Sequence, residues 1–266
     1  MSRTRADVMA DAGVRGRSML AIPRFVLLNF FFWTLAPIFS VVYVTLDAIV
    51  IIALHLVQRN QRNTLRRYRR SISHYGSGIL MLGWPFVRVE FVDLAPDDKP
   101  PFVFVSNHRS ASDAFIMAVL PFECIQVLNI WPSRIPILGV LAKLAGYLKV
   151  REMPFEEFLA DGTKLLNEGC SIIAFPEGTR SGSAALGPFH GSAFRLAQQS
   201  GAKIAPLVVC GNESIPPRGS AWLHPGRIVV SKLPSVTPAD YADLNPYQLK
   251  TLVRDRMWRH MAKNPS

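Results

Sequence analysis

The sequence predicts an α/β domain, a mostly parallel mixed sheet flanked by helices, preceded by an N-terminal membrane-associating helical hairpin. Three observations carry that prediction. From about residue 86 onward, short runs rich in Val, Ile and Phe alternate with stretches of helical character. Two of the apolar runs stop abruptly at polar clusters, as strands do where a rigid sheet presents side chains at its rim. Before them, residues 25–57 are almost uninterruptedly apolar and an arginine-dense segment follows.

Residues 1–24 form a polar, basic arm with Arg3, Arg5, Arg15, Arg17 and Arg24 among small residues. The apolar stretch that follows is broken only by Asn29, Pro37, Asp47, His55 and a few hydroxyls. One bilayer span needs ~20 residues and two need ~40 plus a turn, so a stretch of intermediate length fits neither cleanly. Both flanks are rich in arginine, and the positive-inside tendency places both on the cytoplasmic side. The expectation is a hairpin dipping into one leaflet with a break near Pro37–Ser40; one long tilted helix is the alternative. Pro37 directly after the small-residue site at Ala36 argues against a cleaved signal peptide. Asp47 is costly in lipid and belongs at the hairpin's polar edge or beside an arginine. The resulting division is a basic arm (1–24), a membrane-associating segment with the arginine cluster (25–85) and an α/β domain (86–266).

In that domain, Val87–Val92, Phe102–Val105, Ile125–Leu128, Ser171–Phe175, Ile204–Cys210 and Arg227–Ser231 read as strands. Helices are expected over 112–120, 136–146, 154–168, 190–200 and 246–262. The third has Pro154 at a first-turn position, Glu156 and Glu157 complementing its N-terminal dipole, and Gly169 as a left-handed cap. With 266 residues the chain can bury a sizeable core.

Composition narrows the partners. Hydrophobic residues make up 49%, which favours some contact with lipid, and the net charge of +11 calls for an anionic partner. Arg59, Arg62, Arg66, Arg67, Arg69 and Arg70 crowd in directly after the apolar stretch, the position of anchors at a lipid headgroup layer. No zinc-finger spacing or aromatic RNA-binding signature accompanies them, so an anionic leaflet surface fits and nucleic acid does not. Cys124, Cys170 and Cys210 are odd in number, widely spaced and set among apolar residues, as buried reduced thiols are.

The chemistry gathers in two clusters. The first, Asn107-His108-Arg109-Ser110-Ala111-Ser112-Asp113, follows the run Phe102–Val105. His108 is suited to proton transfer near neutral pH, and Asp113 can hold its other ring nitrogen, fixing the tautomer of a general base acting on a hydroxyl. A single His-x4-Asp pair is also common by chance. The second cluster, Phe175-Pro176-Glu177-Gly178-Thr179-Arg180-Ser181, follows Ser171–Ala174 and makes a convergent site the better reading. It suits phosphate: Gly178 permits close backbone approach, Thr179 offers a hydroxyl and Arg180 can grip two oxygens at once. Glu177 would be repelled by phosphate, so it is expected to orient Arg180 or to accept a hydrogen bond from a ligand hydroxyl.

With both clusters in view, the chain resembles the glycerolipid acyltransferase family of the lysophosphatidate type over roughly residues 85–235. Its first motif, Asn-His-x-Ser-x-x-Asp, is matched by Asn107, His108, Ser110 and Asp113. The second block is matched by Ile135–Gly139 and by Gly146 ahead of Val150-Arg151. The third is matched by Phe175–Ser181, and the fourth, an apolar strand with proline, by Ile204–Val209. The resemblance implies acyl transfer from a thioester donor, acyl-CoA or acyl carrier protein, to a lysophospholipid hydroxyl, 1-acylglycerol-3-phosphate first among acceptors, with no bound cofactor or metal. His108 and Asp113 would be catalytic. Glu177, Gly178, Thr179, Arg180 and Arg151 would bind substrate, with Arg109 beside them touching the donor's phosphates. Ser110 fits a cap or turn better than a nucleophile, because no Gly-x-Ser-x-Gly elbow surrounds it. The implied place of work is the cytoplasmic face of the inner membrane.

Two segments depart from the family pattern. Asn129–Arg134 lacks the usual lysine and Glu-Leu pair, and His190 stands before Gly191 where a basic residue is usual. Both changes bear on the acceptor and leave the chemistry intact. Another lysophospholipid or lyso-aminolipid acceptor, a non-catalytic anionic-lipid-binding module and a thioesterase remain the competing readings.

Overall fold

The computed structural model describes residues 5–58, 61–127, 145–181 and 185–263. The expected helix over 136–146, the end of the strand at Leu128 and the divergent segment 129–134 fall mostly or wholly outside them.

The chain opens with a long helix, α1 (Arg5–Gln58), and a second, α2 (Gln61–Leu82). Six strands follow: β1 (Val87–Asp93), β2 (Phe102–Ser106), β3 (Cys124–Gln126), β4 (Ser171–Ala174), β5 (Lys203–Cys210) and β6 (Gly226–Lys232). Interleaved are α3 (Asp113–Ile116) with a 3-10 turn at Met117–Val119, α4 (Phe155–Asn167), α5 (Ser192–Ser200), α6 (Pro238–Tyr241) and α7 (Pro246–Lys263). The strands align as β1-β6-β5-β2-β4-β3, and every neighbouring pair is parallel except β5–β6. The mixed, mostly parallel sheet agrees with the sequence reading.

Central β2 is buried along its whole length, which is why its residues form an apolar run rather than an alternating one. Val103 and Val105 join Ile172, Ile204 and Val208 under Phe158 of α4, Phe194 of α5 and Val253 of α7. The intervening Phe102 and Phe104 turn to the opposite face, where Ile173, Leu207 and Val230 meet Ile116, Leu120 and Leu28 of α1. Burying each such side chain contributes ~1.5–3 kcal/mol, so this double-sided strand fixes the register of the centre.

The N-terminal hairpin differs from the expectation. Helix α1 runs unbroken through Pro37, and α2, the arginine-bearing segment, forms the second arm. A proline inside a helix costs ~3 kcal/mol. Packing across the site offsets it: Phe39 stacks on Tyr75, the Ser40 hydroxyl is 2.9 Å from the Tyr75 hydroxyl, and Tyr43 donates to the Ser71 carbonyl. Asp47 accepts from the Ser71 hydroxyl at 2.8 Å. Its partner is therefore a serine of α2 rather than an arginine. Within Pro23–Leu54, an 18-residue window has a mean hydropathy of 2.3 and is little buried by the rest of the chain, so the helix is long and apolar enough to cross a membrane.

Smaller differences follow from local chemistry. Pro154 is the N-cap of α4, one position ahead of the first turn, while Glu156 and Glu157 lie in that turn and Gly169 takes φ +86° just past its end. The helix expected over 112–120 is one α-turn continued as 3-10. Cys124 and Cys170 are buried thiols, and burial pushes them up to about 12 and about 11.

Candidate active site

Strands β2, β4 and β5 run parallel, so their C-terminal ends open on one edge of the sheet, where α/β folds place ligands. Three loops leave that edge: 107–113, 175–181 and 211–216. Asn107, fully buried at the end of β2, holds the first against β5. Its amide nitrogen donates to the Val209 carbonyl at 2.8 Å and its oxygen accepts from the Val209 N–H at 2.7 Å. A side chain thereby continues the strand pairing one residue past the strand.

His108 Nδ1 lies 2.7 Å from Asp113 Oδ2. The same oxygen accepts the backbone N–H groups of Arg109 at 2.8 Å and Ser110 at 3.0 Å, and Asn212 donates its amide to Oδ1. Asp113 is inaccessible to solvent whereas the His108 side chain is 24% exposed. Four donors hold this buried carboxylate in place, and with Nδ1 turned to Asp113 the ring presents Nε2 outward. The imidazole leans on Phe175, ring centroids 4.6 Å apart, which sets its plane. Such a dyad can take a proton from a hydroxyl and hold the resulting imidazolium against Asp113.

The second cluster is tied directly to the first. The Ser181 N–H donates to the His108 carbonyl at 2.8 Å, and Glu177 accepts the His108 N–H at 2.9 Å and the Gly187 N–H at 3.0 Å. Glu177 is therefore a clamp on the His108 backbone and not the orienter of Arg180 that the sequence suggested. Burial pushes its carboxyl up, opposed by those two N–H groups. Gly178 turns the loop at φ +67° with the His190 ring beside it, leaving little room for a Cβ. Thr179 is exposed and Arg180 half-buried; among the described residues Arg180 makes no ion pair or hydrogen bond. Arg180 directly precedes Ser181, whose N–H makes the bond to the His108 carbonyl.

Two other expectations change. Arg109 is 2% exposed and ion-paired with Glu213, and it reaches the Met261 sulfur at 4.0 Å. Its charge is used inside the fold, which removes it as a contact for donor phosphates. Arg151 is exposed before α4 and makes no hydrogen bond or ion pair among the described residues, so nothing joins it to the dyad. Ser110 donates to the Ile215 and Pro216 carbonyls, both at 2.9 Å, a turn anchor with no nucleophilic geometry.

Asn212 and Glu213 were not anticipated from sequence. The signal that marks them is the one used for the other clusters: the apolar run Ile204–Cys210 also ends abruptly in polar residues.

Residues 86–210 match the family model described as Acyltransferase. A chloroplastic 1-acyl-sn-glycerol-3-phosphate acyltransferase of Brassica napus is 30% identical over 183 residues, 65% of this chain and 53% of the relative. One from Chlamydomonas reinhardtii is 30% identical over 188 residues, 66% of this chain and 56% of its own. The chain thus spans about half the length of these curated relatives. The crystal structure of a 1-acyl-sn-glycerophosphate acyltransferase from Thermotoga maritima superposes with a TM-score of 0.69 at 18% identity, covering 91% of this chain and 98% of that one, and shares its fold. The α/β domain with its His108–Asp113 edge is thus similar in sequence to 1-acyl-sn-glycerol-3-phosphate acyltransferases, over residues that include the acyltransferase match at 86–210, and similar in fold to the Thermotoga protein.

Proposed function

We propose that this chain is a membrane-bound O-acyltransferase that moves a fatty acyl group from an acyl thioester, acyl-CoA or acyl carrier protein, to the free hydroxyl of 1-acylglycerol-3-phosphate, giving phosphatidate. The observation that carries the reading is the His108–Asp113 pair at the open edge of the sheet. His108 Nε2 takes the hydroxyl proton as the alkoxide oxygen attacks the thioester carbonyl. The tetrahedral adduct then collapses, the carbon–sulfur bond breaks, and the imidazolium returns its proton to the departing thiolate. Asp113 holds the cation between those steps. No acyl-enzyme is needed.

Arg180 takes the acceptor phosphate, with the Thr179 hydroxyl beside it and Gly178 letting the backbone approach. The 1-acyl-sn-glycerol-3-phosphate acyltransferases that the chain is similar to support a lysophosphatidate acceptor, and the departure at His190, beside Gly178, is the reason to examine other acceptors as well. The exposed apolar face of α1, from Val26 to Val57, lies in the cytoplasmic leaflet of the inner membrane, and the exposed arginines of α2 meet anionic headgroups. An enzyme held there meets amphiphilic substrates where their headgroups already lie.

The test is thiol release and phosphatidate formation with purified protein, acyl-CoA or acyl carrier protein as donor, and a panel of lysolipid acceptors. Phosphatidate formed by the wild type and absent with His108→Ala supports the proposal. Thiol release no faster than with His108→Ala sinks it, and thiol release independent of any acceptor identifies a hydrolase instead.

A further inference from the structure

The loop after β5 lies outside the first three sequence motifs yet makes three separate polar contacts with the 108–113 loop. Asn212 donates to Asp113 Oδ1, Glu213 pairs with the buried Arg109, and the Ile215 and Pro216 carbonyls take the Ser110 hydroxyl. We infer that Asn212 is a positioning residue for the His108–Asp113 dyad, a latch that sets the plane of the Asp113 carboxylate. This rests on the acyl-transfer reading of the same site.

The geometry divides the work between the two carboxylate oxygens. Oδ2 is held by donors from the 108–113 loop itself: His108 Nδ1, Arg109 N–H and Ser110 N–H. Those contacts all act on one of the two oxygens. Oδ1 is held by Asn212, a residue distant in sequence that arrives from the neighbouring strand. The two oxygens and the Cγ between them define the plane, so holding both resists rotation about the Cβ–Cγ bond, and the plane aims the acceptor lone pair at the imidazole N–H.

Two independent features show that the fold is built to deliver this amide. Gly211 adopts φ +85°, and a Cβ there would lie 2.2 Å from the Arg227 carbonyl oxygen, so only glycine lets the chain leave β5 past β6 at that point. Asn212 itself is fully buried, and its Oδ1 has no hydrogen-bond partner among the described residues. A buried acceptor is left unsatisfied while the amide nitrogen is committed to Asp113. The reverse orientation would set oxygen against carboxylate.

The loop is also tied to α1. The Asn29 amide nitrogen donates to the Leu223 carbonyl and its oxygen accepts the Leu223 N–H, both at 2.8 Å, and Phe25 packs on His224 with centroids 5.0 Å apart. These contacts lie at the far end of the β5–β6 connection, which the His224 N–H ties back to the Ser214 carbonyl at 3.1 Å.

Among the described residues, the charged and titratable groups around the dyad include the Arg109–Glu213 pair and Glu177 on the His108 N–H, with Cys210 beside Arg109 and His190 beside Gly178. Asn212→Asp adds one carboxylate to that set with no change of shape. Kinetics with the purified full chain test the inference. Asn212→Ala is expected to lower kcat by ~10–100-fold with KM for donor and acceptor unchanged, the signature of a misaligned base rather than lost binding. Asn212→Asp, once ionised, is expected to move the acidic limb of kcat/KM to higher pH, because the added negative charge holds the proton on the dyad. A merely structural role would lower the folded fraction and leave kcat per folded molecule and the pH profile unchanged; that result overturns the inference. If Asn212→Ala does not fold, the isosteric Asn212→Asp decides alone, and a wild-type rate and pH profile there overturns it too. His108→Ala is assayed in parallel. Turnover persisting in that variant removes the acyl-transfer reading, whereas an inactive His108→Ala beside a wild-type-like Asn212→Ala removes only the latch.

Discussion

Replacing Asp113 by asparagine isolates the charge of the dyad from its shape. In the wild type, Oδ2 receives the ring N–H of His108 and the backbone N–H groups of Arg109 and Ser110, and an amide oxygen can receive the same three. The new NH2 group would then face the Asn212 amide, donor against donor. Asn212 can turn over and present its oxygen, which is buried without a hydrogen-bond partner among the described residues of the wild type. The variant should therefore fold with the imidazole in place and lack only the negative charge beside the imidazolium. Two unit charges ~4 Å apart at an effective dielectric constant of ~20, suited to a half-exposed histidine, attract by ~4 kcal/mol. Each ~1.4 kcal/mol is a factor of ten, so kcat/KM for acyl transfer should fall about a thousandfold. The assay is thiol release with acyl-CoA and lysophosphatidate, alongside thermal unfolding to confirm a native midpoint. A folded Asp113→Asn within tenfold of wild type would refute the dyad as the proton carrier.

Three further outcomes follow from the same contacts. Arg109→Met should destabilise the fold by ~2 kcal/mol in denaturant titration, below the ~3–5 kcal/mol of a fully buried pair because Glu213 is 24% exposed, with donor KM unchanged. A tenfold rise in donor KM would restore Arg109 as a substrate contact. Arg180→Ala should raise the KM for lysophosphatidate ~10–100-fold, the ~1.5–3 kcal/mol of a charged hydrogen bond, and an acceptor lacking phosphate should show no such change. The third concerns pH. Burial pushes Cys124 up to about 12 and Cys170 up to about 11, above an ordinary thiol at ~8.5. The folded state keeps protons that the unfolded chain releases, so this contribution is complete below pH ~8.5 and is lost as pH rises through about 11 to 12. Denaturant titrations of wild type and of Cys124→Ala with Cys170→Ala should converge over that range, and alkylation at pH 8.5 should label Cys124 and Cys170 only after unfolding.

The strands and most helices are legible because their signal is local. β2 and β4 are buried on both faces, so an unbroken apolar run is the only pattern they can have. The charged first turn of α4 and the glycine behind it mark both its ends. The His108–Asp113 pair is legible for the same reason: five positions in one loop suffice to close it. The hairpin break was misplaced because Pro37 is a local signal, and the contacts that override it come from Tyr75 and Ser71 on another helix. Arg109 was misread for a similar reason. Nothing near it in sequence shows that Glu213 waits beside it, so a buried structural cation looks like a free one.

What the sequence determines alone is the set of elements, the reactive pair and the family likeness, since periodicity, capping and short-range motifs depend on neighbours within a few residues. What only the tertiary structure decides is how the pair is held. Asn212 on Asp113, Glu177 under His108 and Phe175 behind the ring all join positions far apart in the chain. They meet because three parallel strands end on one edge. That convergence is a property of strand order, which no local pattern encodes.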